Sequence, residues 1–405
     1  IIMRILLIHN RYQNIGGEDF AFAAERALLL EKGHEVHEFI ADNRQIHGLN
    51  RLISAVQAIF SISSYYKMKK LITEYHPEIV HFHNTFMIIS PSAYYACSKR
   101  CVPVVQTLHN YRILCPAATF TRKGKICEAC LGRKMPWPAI LHGCWRNSCL
   151  QTVIVAMIIF INHILKTWTQ KVDCYIALTK FSQNKFSGTI PPSKISVKPN
   201  FCDNNKIQIC LETVAQNRHD YALFMGRLVP EKGVIALLGV FQIKNSVPLR
   251  IFGDGSLYEL VVSTISNAPM QNVQIHKWVD HTEALIQVKG ARFLLFPSEW
   301  YEGFPLTIVE AFACGVPVIA SRLGAMAEII DDGKTGLLFK PGDIDEFGDK
   351  VEWAWNHPQE MTEMGKAARR EYENKYSTER NYHLLIEIYQ KAIENHQNRQ
   401  HIHPT

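Results

Sequence analysis

The sequence contains no apolar run long enough to cross a lipid bilayer. Its longest apolar stretch, residues 152–165, has 14 residues and includes Asn162 and His163, whereas a membrane-spanning helix needs about 20. We therefore expect a core helix here, with an interfacial helix that dips into a membrane surface as the alternative. No secretory signal precedes the first apolar segment. The expected location is the cytoplasm, with peripheral attachment to the inner face of the membrane if the interfacial alternative holds.

Acidic residues are scarce in the first half of the chain. Residues 1–200 contain 24 Lys and Arg against 11 Asp and Glu, whereas residues 201–405 contain 20 against 26. The formal net charge of +7 therefore combines a half at +13 with a half at −6. A basic half suits an anionic partner, such as a membrane surface, a nucleic acid or an anionic substrate, and the acidic half is expected to have a different one.

The 11 cysteines are odd in number and unevenly spaced, which excludes a small disulfide-stapled scaffold in a chain of 405 residues. Five of them fall within a Lys- and Pro-rich stretch at residues 110–150: Cys115, Cys127, Cys130, Cys144 and Cys149. The Cys-x2-Cys pair with a second pair downstream is typical of a tetrahedral zinc site. Five candidates for four positions leave the ligand set open, and free or disulfide-bonded cysteines are the alternative.

Short apolar segments alternate with helical patterns over most of the chain, which indicates an α/β fold with doubly wound parallel sheets. A length of 405 residues favours two domains, and the Pro- and Asn-containing stretch near residues 199–203 predicts the junction. We expect a first domain at residues 1–200 that carries the Cys-rich insertion 110–150. A second domain follows at residues 201–376, and a C-terminal helix at residues 377–405.

The first candidate site is a Gly-Gly loop at residues 14–18, between a predicted strand and a predicted helix. Gly16 and Gly17 would let the backbone approach a ligand closely, and the helix N-terminus offers N–H groups to an anion. A tight strand-to-helix turn is the alternative.

The second candidate site, at residues 226–233, also follows a strand and begins a helix. Arg227 and Lys232 lie five residues apart on a short loop, so both cations could converge on one diphosphate. A solvated loop with two exposed cations is the alternative.

The third candidate site, at residues 298–310, has the same position between a strand and a helix. Gly303, Phe304 and Leu306 would place backbone N–H groups at the helix start, where phosphate binds. Glu302 lies in the loop, and Glu310 lies one to two turns into the helix, where it could accept hydrogen bonds from a ribose diol. Two solvated carboxylates are the alternative.

These motifs resemble those of the retaining family 4 glycosyltransferases. The resemblance covers nearly the whole chain and keeps the family's order: the Gly-Gly loop, residues 107–111 with His109, residues 226–233, residues 253–255, residues 302–321 and residues 332–337. It implies two Rossmann-like domains that face each other across a cleft, the GT-B architecture. It also implies a last helix that crosses back onto the first domain.

The resemblance assigns roles to single residues. Arg227 and Lys232 would hold the diphosphate of a sugar nucleotide, Glu310 its ribose, and Glu302 the hydroxyls of the donor sugar. Further donor contacts would come from Gly16, Gly17, Gly253, Gly303, Phe304 and Leu306, and His109 would reach the sugar from the first domain. For His109, a core or capping histidine is the alternative. Related chains with this insertion would place zinc on Cys115, Cys127, Cys130 and Cys144.

The expected activity is retaining transfer of a sugar from a nucleotide-diphosphate sugar to an acceptor hydroxyl. No cofactor is required for catalysis, because Arg and Lys neutralise the leaving diphosphate, and no Asp-x-Asp motif occurs before residue 220; any zinc would be structural. The acceptor is expected to be a saccharide or a lipid-linked molecule in surface polysaccharide or glycolipid synthesis. An anionic-surface or nucleic-acid binding module is one alternative, although nucleic acid does not explain the three strand-end sites. Another GT-B enzyme, such as a sugar-nucleotide epimerase, is the other.

Overall fold

The computed structural model describes residues 2–12, 16–45, 57–202, 207–208, 212, 220–244, 246–267 and 270–402. Asn14 and Ile15 of the Gly-Gly loop lie outside them. The chain divides into two compact units. Unit 1 comprises Ile1–Phe120, Cys127–Asn200 and Asn381–Thr405, and unit 2 comprises Thr121–Ile126 and Phe201–Arg380.

The first half of the chain contains eight described strands. They are β1 (Arg4–Arg11), β2 (Glu35–Asp42), β3 (Ile79–Phe82), β4 (Val104–Leu108), β5 (Thr121–Arg122), β6 (Lys125–Ile126), β7 (Cys174–Ala177) and β8 (Ile195–Val197). Six of them form the parallel sheet of unit 1 in the order β2-β1-β3-β4-β7-β8, while β5 and β6 form a separate antiparallel pair in the insertion. The central strands β3, β4 and β7 are fully buried, which fits their largely apolar sequences.

Helices connect these strands. They are α1 (Gly17–Glu31), α2 (Ile62–Tyr75), α3 (Ser92–Lys99), α4 (Trp137–Leu141), α5 (Cys149–Ile164), α6 (Thr167–Gln170) and α7 (Lys180–Phe186). Several begin at a side-chain cap of the kind that satisfies free N–H groups. Ser61 caps α2, Ser148 caps α5, and Thr179 caps α7.

Unit 2 repeats the alternation with a second six-stranded parallel sheet. Its strands are β9 (Ala222–Met225), β10 (Leu249–Phe252), β11 (Val273–His276), β12 (Phe293–Phe296), β13 (Val318–Ser321) and β14 (Gly336–Phe339). Its helices are α8 (Val234–Ile243), α9 (Tyr258–Asn267), α10 (His281–Gly290), α11 (Leu306–Ala313), α12 (Gly324–Ile329), α13 (Ile344–Asn356) and α14 (Pro358–Lys375). The strand order β11-β10-β9-β12-β13-β14 is that of a Rossmann fold.

The last helix, α15 (Thr378–Ile402), returns to the first sheet. Leu385, Ile388 and Tyr389 are buried in one cluster with Ile5 and Leu7 of β1. The predicted fold class is therefore confirmed: two doubly wound parallel-sheet domains, with a C-terminal helix that packs back on the first of them.

The apolar stretch at residues 152–165 forms most of α5. Its inner face packs Val155 and Ile158 against Ala58 and Phe86. Among the described helices, none combines the length and apolarity that crossing a membrane would require. The structure thus places one face of α5 in a core cluster.

Candidate functional site

The sheet of unit 2 has a topological switch point between β9 and β12. Crossovers leave these two neighbouring strands in opposite directions, so a crevice forms at their carboxyl ends, where doubly wound sheets bind ligands. Residues 226–233 follow β9, and residues 298–305 follow β12. Two of the predicted donor-binding loops therefore lie side by side at the switch point.

Two glycines allow these loops to touch through their backbones. Gly233 has a φ of +71°, and a Cβ built on it would lie 1.9 Å from the carbonyl oxygen of Pro297 at the end of β12. A Cβ on Gly253 would lie 1.9 Å from the carbonyl oxygen of Gly226. Such distances are far below van der Waals contact, so only glycine fits at either position.

Lys232 and Glu302 form the polar centre of the crevice. The Lys232 Nζ donates to Glu302 Oε1 at 2.7 Å. The same oxygen accepts from Ser298 Oγ and Trp300 Nε1, each at 2.6 Å. Glu302 is buried, and the loop backbone reinforces the arrangement because the Glu299 N–H donates to the Glu231 carbonyl at 2.9 Å. Three donors on one oxygen hold the carboxylate rigidly, and the carboxylate in turn orients the ammonium group.

The two predicted phosphate ligands, Arg227 and Lys232, differ in burial and in pairing. Lys232 is mostly buried and paired, whereas Arg227 is exposed and forms no ion pair with any residue that the structure describes. The Arg227 guanidinium is therefore available to an anion, while Lys232 presents a charge in a fixed place.

The predicted helix start is present, because α11 begins at Leu306 directly after Pro305. Gly303 is half-buried, and Phe304 packs on the unit 2 core with its ring 6.1 Å from that of Tyr376. The amides at this end belong to the first turn of a helix, where the N–H groups have no intrahelical acceptor and the helix dipole is positive. The loop therefore presents its backbone donors beside Lys232 and Glu302.

Glu310 has a partner that the sequence analysis missed. Its Oε1 lies 2.7 Å from Nε2 of His281. His281 begins α10, and Asp280 caps that helix by accepting from the N–H groups of Thr282 and Glu283. The Asp-His-Thr-Glu pattern marks a helix start, but no spacing rule connects it to a glutamate 29 residues away.

In unit 1, Gly16 of the predicted Gly-Gly loop is held by the side chain of Asp19. The Gly16 N–H donates to Asp19 Oδ2 at 2.8 Å, and Asp19 Oδ1 lies 2.9 Å from His9 Nε2. Gly17 is the first residue of α1. Burial opposes ionisation of Asp19, but its hydrogen bonds to His9 and to the Gly16 amide lower its pKa. Gly16 thus has a fixed position at the N-terminus of α1.

His109 follows β4 and belongs to a chain of histidines. Its Nε2 lies 3.0 Å from Nδ1 of His83, and His83 Nε2 lies 3.2 Å from Glu25 Oε1. Burial, with repulsion from His81, lowers the pKa of His83 to about 4. Burial and then His83 likewise hold the pKa of His109 well below its ordinary value. Both rings are neutral near pH 7.

Glu18 is a second residue that the sequence analysis missed. It lies beside Gly17, and its Oε1 accepts from Asn84 Nδ2 at 3.0 Å while Asn110 Nδ2 lies 3.5 Å from its Oε2. Burial and the neighbouring Asp19 raise its pKa to about 8. Its position in the first turn of α1, next to two glycines, was the available signal.

Four of the five cysteines of the insertion, Cys115, Cys127, Cys130 and Cys144, lie near one another. None of the candidates forms a disulfide bond with another described cysteine, and Cys149 is exposed. Burial raises the pKa of Cys130 to about 11, and the Cys115, Cys144 and Cys127 thiols add to the rise. The four residues named by the resemblance are therefore neighbours. Their sulfurs would have to draw closer to share one ion, since only Glu25, His81 and His83 among the described residues place three ligand atoms within 4.8 Å of one another.

Five large apolar side chains on α4, on α5 and directly after α5 are exposed, and we refer to them together as the α4–α5 face. Its exposed members are Trp137, Leu141, Leu150, Ile164 and Leu165, exposed by 49, 68, 74, 55 and 51% respectively. Lys166 follows it in sequence, and Lys134 lies near enough to help burial lower the pKa of His163 on α5. An apolar face flanked by lysines suits an anionic interface.

Comparison with known proteins matches two family models in sequence order. The model described as "Glycosyltransferase Family 4" matches residues 26–206, and the model described as "Glycosyl transferases group 1" matches residues 212–371. An uncharacterized glycosyltransferase of Methanocaldococcus jannaschii is 26% identical over 231 residues, which are 56% of this chain and 62% of the relative. A D-rhamnosyltransferase of Pseudomonas aeruginosa is 29% identical over 154 residues, 38% of this chain and 40% of that protein. The chain thus spans less than two thirds of the length of these curated relatives.

Solved structures share the fold over nearly the full length. A glycosyltransferase from Rickettsia africae has a TM-score of 0.67 at 16% identity and covers 97% of this chain and 99% of its own. An Anabaena protein solved in complex with UDP has a TM-score of 0.65 at 16% identity, with 98% and 100% covered. At these identities the likeness concerns the fold alone.

Proposed function

Because the chain belongs to the family 4, group 1 glycosyltransferases and has their GT-B fold, we propose that it transfers a sugar from a nucleotide-diphosphate sugar to an acceptor hydroxyl. The observation that carries this proposal is the Lys232–Glu302 pair at the switch point of unit 2. A fixed ammonium group beside a helix N-terminus suits a diphosphate leaving group. Relatives with UDP or UDP-glucose in their solved structures support a nucleotide-sugar donor.

Some of these residues act on the leaving diphosphate and others on the sugar and the ribose. Lys232 and Arg227 neutralise the diphosphate as the bond from C1 breaks, and they stabilise that charge more in the transition state than in the bound donor. Glu302 Oε1 is saturated by three donors. Its Oε2 accepts no hydrogen bond from the described residues and is available to a sugar hydroxyl. Glu310 binds the ribose, and His109 contacts the sugar. Transfer proceeds with retention of configuration, the acceptor attacking from the face that the diphosphate leaves.

Donor binding should be measurable without knowing the acceptor. A true donor at 100 times its Kd stabilises the fold by about 2.7 kcal/mol, so a thermal-shift panel of nucleotide sugars should single it out. Glu310→Gln replaces a charged acceptor by a neutral one while it keeps the reach to His281, and should weaken donor binding about tenfold.

Glu360→Gln, at an exposed position on α14, is the matched control and should bind the donor as the unaltered chain does. A Glu310→Gln variant with unchanged affinity would remove Glu310 from the site. Conversion of the donor to a sugar isomer without any acceptor would instead identify a sugar-nucleotide epimerase.

For the acceptor we propose a lipid-linked or saccharide molecule at a membrane surface, in surface polysaccharide or glycolipid synthesis. The support is the α4–α5 face, with its five exposed apolar side chains and the lysines beside it. Unit 1, which contains it, comprises most of the basic half of the chain. Nucleic acid is a weaker partner for this face, because its phosphates would meet apolar side chains.

The membrane proposal concerns exposed side chains and can be tested without unfolding the core. The triple variant Leu141→Gln, Ile164→Gln, Leu165→Gln should bind vesicles that contain phosphatidylglycerol at least tenfold more weakly, because each leucine or isoleucine that enters the interface contributes up to about 1.5–3 kcal/mol. Co-sedimentation measures this. Ile235→Gln with Ile243→Gln changes two exposed residues on α8 and should leave binding unchanged; equal binding by all three proteins would refute the membrane role of the face.

We further propose one structural zinc ion on Cys115, Cys127, Cys130 and Cys144. The support for the grouping is that the Cys115, Cys144 and Cys127 thiols lie near enough to Cys130 to help raise its pKa. The exposed Cys149 is left out. Four thiolates would give the metal a closed tetrahedral shell, as structural sites have. The metal would stabilise the insertion and take no part in the reaction.

A further inference from the structure

A continuous hydrogen-bonded chain leads from a buried ion pair in unit 1 to His109. Lys198 Nζ donates to Glu25 Oε2 at 2.9 Å. Glu25 Oε1 lies 3.2 Å from His83 Nε2, and His83 Nδ1 lies 3.0 Å from His109 Nε2. Lys198, Glu25 and His83 are buried, with side chains 2, 4 and 1% exposed. The geometry points to a relay in which Lys198, Glu25 and His83 are positioning residues that fix the tautomer of His109.

The charge at the buried end sets the direction of every hydrogen bond. Burial would raise the pKa of Glu25, but attraction by Lys198, His81 and His83 holds it well below its ordinary value. An ionised carboxylate only accepts hydrogen bonds. His83 must therefore donate from Nε2, because a lone pair there would face the negative oxygen.

The donor role of His83 Nε2 then fixes the donor and acceptor roles of the His83–His109 hydrogen bond. A neutral His83 with its proton on Nε2 has a lone pair on Nδ1. His109 must donate to that lone pair from its own Nε2. Its Nδ1 is then unprotonated, and no described residue forms a hydrogen bond with it. His109 thus presents an acceptor, which suits a sugar hydroxyl as the donor of the hydrogen bond.

The same cluster has the spacing of a metal site, since Glu25, His81 and His83 place one ligand atom each within 4.8 Å of one another. The Lys198 ammonium lies 2.9 Å from the shared carboxylate and also donates to Asn381 Oδ1 at 2.9 Å. His81 Nδ1 lies 2.9 Å from the Tyr389 hydroxyl. A second cation would meet the repulsion of Lys198, so the observations favour the relay.

The decisive measurement is the tautomer of His109 in the full chain labelled with ¹⁵N-histidine. Long-range ¹H–¹⁵N spectra should show the proton on Nε2, with His109→Asn identifying the resonances. The double variant Glu25→Gln/Lys198→Met removes both charges together, so neither remains buried and unpaired. It should populate the form with the proton on Nδ1. Tyr389→Phe, which removes a hydroxyl beside His81 but lies off the relay, should keep the original tautomer.

Kinetics provide the second readout, and only this part rests on the proposed function. The double variant should lose about 10- to 100-fold in kcat, the range observed for the outer partners of metal-bound histidines, with little change in the KM for the donor. A proton on Nδ1 of His109 in the unaltered chain, or an unchanged tautomer in the double variant, would overturn the relay. Broadening of the His81 and His83 signals by Co²⁺ would overturn it in favour of a metal site. A fixed tautomer in a chain without transferase activity would leave the relay standing and reject the proposed function.

Discussion

Lys232→Ala should lower kcat by about 10²- to 10³-fold, which corresponds to about 2.7–4 kcal/mol of transition-state stabilisation. The ammonium group is held 2.7 Å from Glu302 at the switch point of unit 2. Charge on the leaving diphosphate grows as the bond from C1 breaks, so a cation already in place needs no reorganisation at that moment. The donor carries part of this charge before reaction, and its affinity should fall less than kcat. Single-turnover rates at saturating donor, with donor affinity measured separately, test this difference.

The variant also leaves the Glu302 carboxylate without its cation, so stability must be measured beside activity. Ser298 and Trp300 still donate to that carboxylate, which should keep the loop folded. Lys366→Ala, at an exposed position on α14 where the lysine pairs with Glu363, is the matched control and should retain full activity. Normal turnover by a folded Lys232→Ala protein would remove this residue from the chemistry.

Purified protein should contain one zinc ion per chain, and its removal should cause the largest loss of stability among the changes considered. Apparent binding free energies of structural zinc are about 10–16 kcal/mol in isolated zinc-finger peptides. The regular elements of the insertion, β5, β6 and α4, have two, two and five residues and are too short to hold its fold by backbone hydrogen bonds alone. Metal analysis by mass spectrometry gives the stoichiometry, and thermal unfolding with and without a chelator gives the effect.

Single substitutions separate the ligands from the other cysteines. Cys130→Ser should lose the metal and unfold at a lower temperature, because it removes one of the four proposed ligands. Cys149→Ser should keep both metal and stability, since Cys149 is exposed. Absence of zinc at any stoichiometry, or equal metal content in the two variants, would reject the site.

The sequence predicted the elements that have a strong local signal. Phe293–Phe296 is a run of four apolar residues and forms the fully buried β12. Gly233 before an apolar helical pattern marked the start of α8, where the backbone needs a positive φ. Strand-end loops could be located because parallel sheets place ligands at carboxyl ends.

Local sequence patterns could not predict contacts between residues far apart in the sequence. The contact between Glu310 and His281 depends on which strands are neighbours, and the order β11-β10-β9-β12 follows from packing of the whole sheet. The same holds for His83 and Glu25, which come together only when β3 and α1 meet. Short helices such as α12, with six residues, have too few turns to establish a period.

The return of α15 to the first sheet has a consequence for how the chain folds during synthesis. The core that surrounds β1 includes Leu385, Ile388, Tyr389 and Ala392, and Asn381 Oδ1 accepts a hydrogen bond from the Lys198 ammonium. A ribosome makes these residues only after all of unit 2. Until α15 is synthesised, the first sheet therefore lacks part of its core, and the apolar surface that α15 will cover stays exposed to solvent while unit 2 folds. The domain made first is the domain finished last, and nascent chains should recruit chaperones to it.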